Sequence, residues 1–315
     1  MISCGVIDVK QNKCIMNRRN EESMKNGTIP AVFTALAAGA AAYMAYENKN
    51  LEVTHYTAAS SKIPKSFDGY RAVCITDLHN NEYGKDNQRI IREIDRFKPS
   101  VILISGDMLV SSNPSFGKAY SLLSNLSGRY RILYGFGNHE YRYRTNYKQE
   151  YVQYISELKR CGVEILDNRH SYIYSKDERI CVYGITLPYK YYEKYEYRQK
   201  LKKKTIESYI GSAANEEYNI LLAHTPNYFE GYAEWGADLV LSGHVHGGII
   251  GIPFIGGFIS PQYELFPKYD KGVFKLYDST MFLSRGLGTH TIPVRVFNRP
   301  ELMCITLKRE AAQPL

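Results

Sequence analysis

Short apolar runs and amphipathic stretches alternate along the chain beyond residue 70. A stretch with Ile90, Ile91, Ile94 and Phe97 on one face predicts a helix, and similar periodicity predicts helices near 115–127 and 147–160. The apolar runs predict buried strands: "RAVCIT", "SVILISGD", "RILYGFGN", "NILLAH" and "ADLVLSGH". Repeated strand and helix units of this kind predict a layered α/β domain, which we place at 70–310.

Two stretches lack an intervening helix and predict antiparallel hairpins. They read "SYIYSKDERICVYGI" and "GVFKLYDSTMFLSRG". Hairpins joined to parallel strand units make a mixed sheet. The predicted fold class is therefore α/β with mixed β-sheets.

The N-terminal region has a different pattern. Residues 1–27 form a polar tail without periodicity, whereas residues 29–46 contain no charge over about the shortest length that crosses a bilayer. We interpret 28–46 as a transmembrane or signal-anchor helix; a cleaved signal peptide and a soluble alanine-rich helix are the alternatives. The excess of Lys and Arg upstream predicts a single-pass membrane protein with a cytoplasmic N-terminus and an extracytoplasmic main domain. Residues 47–69 are expected to be a linker.

Composition and charge limit the classes of possible partner but do not select one class. The chain is 44% apolar and 23% charged, which suits a folded domain, and its formal charge is +8. That charge suits nucleic acid, an anionic membrane face or a phosphorylated substrate. The six cysteines form no CxxC pair, so they predict buried thiols and no disulfide framework or cysteine-zinc site.

Five predicted strands end in side chains that can bind a metal. In layered α/β folds the loops at the carboxyl ends of the strands converge, so these groups are expected to lie together. Carboxylate, amide and imidazole groups without thiolate suit Mn, Fe or Zn. The candidates, in chain order, are Asp77, His79, Asp107, Asn138, His139, His224, His244 and His246.

The spacing of the histidines in "LSGHVHGG" fits two neighbouring ions. Residues two apart in an extended segment point to the same side, about 6.6 Å apart. Paired catalytic metals lie about 3.5 to 4 Å apart. We therefore expect His244 and His246 to serve different ions, with Gly247 and Gly248 leaving space for substrate and backbone.

These motifs resemble the calcineurin-like metallophosphoesterase superfamily over about residues 70–250. The resemblance implies a layered α/β/β/α sandwich and two divalent metal ions, with Asp107 bridging them. Asp77, His79, Asp107 and His246 would then hold one ion, and Asp107, Asn138, His224 and His244 the other. The matching motifs are Asp77-Leu78-His79, Gly106-Asp107, Gly137-Asn138-His139-Glu140, His224 and Gly243-His244-Val245-His246.

The same resemblance predicts hydrolysis of a phosphate ester. A metal-bound water that loses its proton near neutral pH attacks in line, and His139 protonates the leaving oxygen or steadies the transition state, with Glu140 or Asp107 orienting it. The hydrophobic N-terminal segment is most similar to the membrane-anchored bacterial branch. We therefore expect a phosphodiesterase that acts at the membrane or cell envelope on a phosphate ester, which a lipid or the envelope could carry.

Two other functions remain open at this stage. One is a nuclease or nucleotide phosphoesterase with the same metal site, although no groove-reading motif indicates a specific nucleic-acid partner. The other is a metal-free binding protein, which would be expected to lack some ligands. Substrate selectivity is expected from the Tyr/Lys-rich segment 189–204 and the glycine-rich loop 249–269. The alternatives are a solvated helix face for 189–204 and a surface loop packed by its own side chains for 249–269.

Overall fold

The computed structural model describes residues 30–193, 199–248, 251–252, 256–257, 264–289 and 295–311. The chain divides into two compact units, Met1–Tyr46 and Glu47–Leu315. The predicted polar tail 1–27 lies outside the described residues, as does most of the loop 249–269.

The helix predicted at 28–46 is present as α1 (30–49). Its larger apolar side chains are exposed, among them Val32, Phe33 and Leu36. Among the helices of the described ranges, none is long and apolar enough to cross a membrane. The expectation of a transmembrane helix is therefore not supported, because the many alanines of this segment make it only weakly hydrophobic.

The second unit contains two six-stranded sheets, with strands numbered in chain order. The spatial order of the first sheet is β1 (Glu52–Ser60), β14 (Glu301–Arg309), β2 (Arg71–Ile75), β3 (Val101–Ser105), β4 (Arg131–Gly135) and β5 (Glu164–Ile165). Strands β2 to β5 are parallel, β14 is antiparallel to β2, and β1 is parallel to β14.

The second sheet is also mixed. Its order is β12 (Gly272–Leu276), β13 (Ser279–Leu283), β9 (Leu239–Ser242), β8 (Asn219–Ala223), β7 (Glu178–Ile185) and β6 (Arg169–Ser175). Strands β13, β9, β8 and β7 are parallel, and an antiparallel strand closes each edge. The pairs β6–β7 and β12–β13 are the two predicted hairpins, and a short ladder joins β10 (Gly251–Ile252) to β11 (Gly256–Gly257).

Alternate residues of each strand enter different cores, which makes four layers. Val101 and Leu103 of β3 pack between the two sheets with Ile220 and Leu222 of β8. Their sequence neighbours face outward: Ile102 lies under one helix layer and Leu221 under the other. The expected α/β/β/α sandwich is confirmed.

Helices cover both outer faces. α2 (Gln88–Phe97), α3 (Gly117–Ser127), α4 (Asn138–Asn146) and α5 (Lys148–Arg160) pack on the first sheet. α6 (Lys203–Ile210) and α7 (Phe229–Trp235) pack on the second. The helices expected from the apolar face of 90–97 and near 115–127 and 147–160 correspond to α2, α3 and α5.

The segment 47–69 differs from the expected linker. It contains β1, which pairs along its whole length with β14 from Glu52↔Glu301 to Ser60↔Arg309. β1 lies at a sheet edge, where most of its side chains remain partly or fully exposed. Its polar sequence therefore carries no apolar alternation that would have marked a strand.

Candidate metal centre

The predicted site residues meet where strands of the two sheets end. β2, β3 and β4 run parallel and are followed by Asp77, Asp107 and Asn138, whereas β8 and β9 are followed by His224 and the 244–246 pair. All of these side chains are buried. The fold thus collects groups from 170 positions of sequence at one edge, as the strand order predicts.

Asp77, His79 and His246 form the first group of potential ligands. The Nε2 atoms of the two histidines are 3.2 Å apart, and Nε2 of His246 lies 3.4 Å from Oδ1 of Asp77. Nε2 of His79 lies 3.8 Å from the same oxygen. The three atoms therefore face a common point.

Asp107, His224 and His244 form the second group. Nε2 of His224 lies 2.9 Å from Oδ2 of Asp107. The same oxygen lies 3.9 Å from Nε2 of His79, which belongs to the first group. Asp107 thus lies between the two groups, as expected of a bridging ligand.

Three of the histidine rings are oriented by backbone carbonyl groups. Nδ1 contacts Leu109 O at 3.2 Å in His79, Ser105 O at 2.7 Å in His224 and Gly288 O at 3.2 Å in His246. A carbonyl oxygen can only accept, so in the neutral ring Nδ1 carries the proton and Nε2 offers a lone pair. Histidine ligands of metal sites are commonly oriented in this way.

Two buried polar atoms also fit a metal ion. Oδ1 of Asn138 has no hydrogen-bond partner among the described residues, and Nε2 of His224, which is unprotonated in the neutral ring, faces the carboxylate of Asp107 at 2.9 Å. Buried polar atoms are nearly always satisfied, so such atoms call for an explanation. Together with the carboxylates and imidazoles, they make a donor set that suits divalent cations of the Mn, Fe or Zn type.

Burial makes the ionised form of the site's carboxylates unfavourable when no cation is bound. Burial raises the pKa of Asp107 to about 7, although the charge of His224 acts in the opposite direction. Burial raises the pKa of Asp77 as well. Burial lowers the pKa of His224, but the charges of Asp107 and Asp77 outweigh it and raise that pKa to about 10. A bound divalent ion would favour the ionised carboxylates.

The ligand loops adopt strained backbone conformations. Asp77, Asp107, His244 and His246 have φ values of 52°, 55°, 71° and 53°. Such strain persists only where the surroundings enforce it, and it concentrates at functional sites. Close packing contributes: a Cβ atom on Gly243 would lie 2.1 Å from Oδ2 of Asp77.

His139 stands apart from the other histidines. The N–H of Ser111 donates to its Nδ1 at 2.9 Å, so the proton of the neutral ring lies on Nε2. That atom lies 3.9 Å from Oδ2 of Asp107. His139 thus presents an N–H donor beside the site, although its position would also allow it to join His79 and Asp107 as a ligand.

Glu140 supports the loop that carries Asp107. Its Oε2 accepts hydrogen bonds from the N–H groups of Asp107 at 2.7 Å and Gly137 at 2.9 Å. Its Oε1 accepts from Met108 N–H and Tyr134 OH, both at 2.8 Å, and from Leu109 N–H at 3.2 Å. Orientation of His139 was expected of Glu140 or Asp107. The observed ring contact comes from Ser111, and Asp107 accepts the backbone N–H of His139 at 2.8 Å.

The predicted selectivity segment 189–204 reaches the site at one end. Tyr191 and Tyr192 are buried, and the ring of Tyr192 meets that of His244 edge-on at 5.1 Å between centroids. Residues 194–198 lie outside the described residues. The sequence signal was the density of tyrosine, which does not reveal which ring points inward.

The sequence profile of the calcineurin-like phosphoesterase family matches residues 70–248. The chain belongs to this family. Its fold and its membership make it a metal-dependent phosphoesterase, as the motif series implied. The identity of the metal ligands and the number of bound ions stay predictions. The two groups of potential ligands identify the residues to be tested.

The sequence similarity between this phosphoesterase and its relatives extends beyond the catalytic motifs. An uncharacterized metallophosphoesterase of Bacillus subtilis, YkuE, is 29% identical over 295 residues, which cover 89% of this chain and 96% of the relative. A Danio rerio transmembrane protein with a metallophosphoesterase domain is 27% identical over 257 residues, which cover 79% of this chain and 55% of that protein. Among solved structures, TT1561 of Thermus thermophilus is 10% identical with a TM-score of 0.43, covering 70% of this chain and 90% of that one.

Proposed function

We propose that the phosphoesterase is a phosphodiesterase that uses two divalent ions. Asp77, His79, Asp107 and His246 would hold the first, and Asp107, Asn138, His224 and His244 the second. The observation that carries this proposal is the position of Asp107 between two groups of buried ligand atoms. When bound, the ions would polarise the phosphate and lower the pKa of a coordinated water.

His139 is proposed as the catalytic side chain. Its Nδ1 accepts the Ser111 N–H, so in the neutral ring the proton lies on Nε2, from which it would pass to the leaving oxygen of the ester. Asp107 fixes the backbone of His139 through the 2.8 Å hydrogen bond from its N–H. These contacts hold the donor at the edge of the site in one tautomer.

An anionic substrate fits the charge of the chain. Beside the loop that follows His224, a groove of about 1090 Å³ is lined by Asn227 and Tyr228 and by several lysines between 200 and 204. Two acidic residues, Glu230 and Glu234, also line it. We propose that the larger group of a phosphodiester, which a lipid or the envelope could carry, lies toward this groove.

Action at the membrane, with a cytoplasmic N-terminus and an extracytoplasmic catalytic domain, is a further proposal. Support comes from the exposed apolar residues of α1, the basic residues before it and the name of the Danio rerio relative. Membrane fractionation before and after alkaline carbonate washing, combined with protease accessibility in spheroplasts, tests it. Protein recovered entirely in the soluble fraction would refute it.

The reaction is tested with matched aryl esters. We expect purified protein to hydrolyse bis-(p-nitrophenyl) phosphate faster than p-nitrophenyl phosphate when supplied with Mn²⁺, Zn²⁺, Fe²⁺ or Mg²⁺ in turn. The Asp107→Asn variant is the control, since it should lose activity on both esters. A strong preference for the monoester in the wild-type protein would overturn the diesterase proposal.

A further inference from the structure

The last turn of α1 ends in a buried acid that contacts the C-terminal region. Glu47 is 1% exposed. Its Oε2 accepts the N–H of Asn298 at 3.2 Å, and its Oε1 accepts Nε–H of Arg299 at 2.8 Å. A buried carboxylate with these partners fixes the position of the 298–299 backbone.

Asn298 in turn holds the loop that carries His246. Its Nδ2 donates to the carbonyl oxygens of His246 and Gly248, both at 2.6 Å. Gly247 has a φ of +69°, and a Cβ atom there would lie 2.5 Å from Oδ1 of Asn298. The first glycine of "HVHGG" therefore leaves space for Asn298, whereas sequence reasoning had assigned that space to substrate and backbone.

His246 depends on this support from both sides. Its backbone has a φ of 53°, which a non-glycine residue adopts only under constraint. Its ring is held through Nδ1 by Gly288 O at 3.2 Å, and its carbonyl oxygen is held by Asn298. A shift of that carbonyl would reorient the ring that faces Asp77 and His79.

We infer that Glu47 and Asn298 are positioning residues for the metal ligand His246, so that Glu47, the first residue of the second unit, supports the metal centre through Asn298. Both residues lie outside residues 70–248, the part of the chain that the family profile matches. The inference rests on the proposed metal site but not on the choice of substrate. A failure of the diesterase proposal would leave it intact.

Metal affinity of the full chain tests the role of Asn298. Asn219 provides a matched control: it is also 1% exposed, and its Nδ2 donates to the carbonyl oxygens of Ala214, Glu217 and Gly236. It begins β8, whereas His224 follows the other end of that strand. Because outer-shell partners typically change metal affinity 10- to 100-fold, we expect Asn298→Ala to raise the Mn²⁺ dissociation constant at least about tenfold, measured by titration calorimetry after chelation.

The control variant Asn219→Ala and two variants of Glu47 complete the test. Asn219→Ala should lower the melting temperature to a similar degree and leave Mn²⁺ affinity within about twofold, because the carbonyl groups to which its Nδ2 donates belong to none of the proposed ligands. Glu47→Ala should weaken Mn²⁺ binding, and Glu47→Gln, which retains an acceptor for the Asn298 N–H, should recover part of the loss. Equal Mn²⁺ affinities in Asn298→Ala and Asn219→Ala, at equal loss of stability, would overturn the inference.

Discussion

The two sides of the metal centre are supported in different ways. The Asp107 loop, residues 106–111, is held by Glu140, which belongs to the same motif series as the ligands. The His246 loop, residues 243–248, is held by Asn298, which is remote in sequence and outside the family match. The short sequence motifs therefore contain the ligands and Glu140, which supports the Asp107 loop. Asn298, which supports the His246 loop, can be identified only from the structure.

The two sides also differ in the charge of the buried side chain that lies behind the ligands. Glu140 is an anion surrounded by backbone N–H groups, while the segment behind the His246 loop contains a buried cation. Arg295 is 2% exposed and donates to the carbonyl oxygens of Asn298 at 3.1 Å, Arg285 at 2.8 Å and Gly286 at 3.1 Å, and to that of Gly288. Gly288 O is also the acceptor for His246. Glu140 thus binds the backbone of the Asp107 loop directly, whereas Arg295 fixes the carbonyl group that orients the His246 ring.

The largest expected effect concerns chemistry on the Asp107 side. His139→Ala should lower kcat about 10²- to 10⁴-fold, because it removes the proposed proton donor. Metal content, measured by plasma mass spectrometry after gel filtration, should stay at the wild-type level. Loss of metal in parallel with activity would instead make His139 a ligand, which its place beside His79 and Asp107 would allow.

Glu140→Gln is expected to have the next largest effect. The new amide would place an N–H₂ group against backbone N–H donors that now share a carboxylate, which should cost about 3 kcal/mol of unfolding free energy. Urea denaturation of metal-free protein measures it. Glu164→Gln is the control, since its 2.8 Å pair with Arg131 is exposed and should contribute less than about 1 kcal/mol. Equal effects of the two changes would contradict the proposed role of Glu140.

Arg295→Lys should have a smaller effect on the other side. Lysine keeps the charge but cannot reproduce the planar fork that reaches several carbonyl oxygens, so we expect a loss of about 2 kcal/mol in unfolding free energy. Mn²⁺ binding should weaken too, because Gly288 O would lose one of its two partners. Arg129→Lys, at an exposed pair with Asp95, should leave both measurements close to wild type. If Mn²⁺ affinity is unchanged in Arg295→Lys, the carbonyl of Gly288 does not need the guanidinium.

The same contrast explains how much the sequence could predict. Apolar runs such as "SVILIS" identify β3 because a strand buried on both faces needs apolar residues throughout, and their polar ends identify Asp107. β1 was missed because an edge strand has no such requirement. Asn298 was missed because a single asparagine that donates to two carbonyls 50 and 52 residues away has no local signature.

The smallest expected effect is a pH-dependent change in stability caused by Glu301, which accepts the backbone N–H of Arg285. Burial raises the pKa of Glu301, but the charge and backbone N–H of Arg285 outweigh it, so the pKa lies below its usual value of 4.5. Glu301 accepts the N–H of Arg285 and the OH of Tyr56, both at 2.9 Å. A lowered pKa in the folded state means that this contribution to stability is complete above pH 4.5 and disappears as the pH falls through the lower value. Glu301→Gln should therefore lose stability at pH 7 and approach the wild type below pH 4.5, when urea midpoints of the two proteins are compared. A constant difference across that range would show that Glu301 acts through packing alone, leaving Arg285 to be fixed by its other contacts.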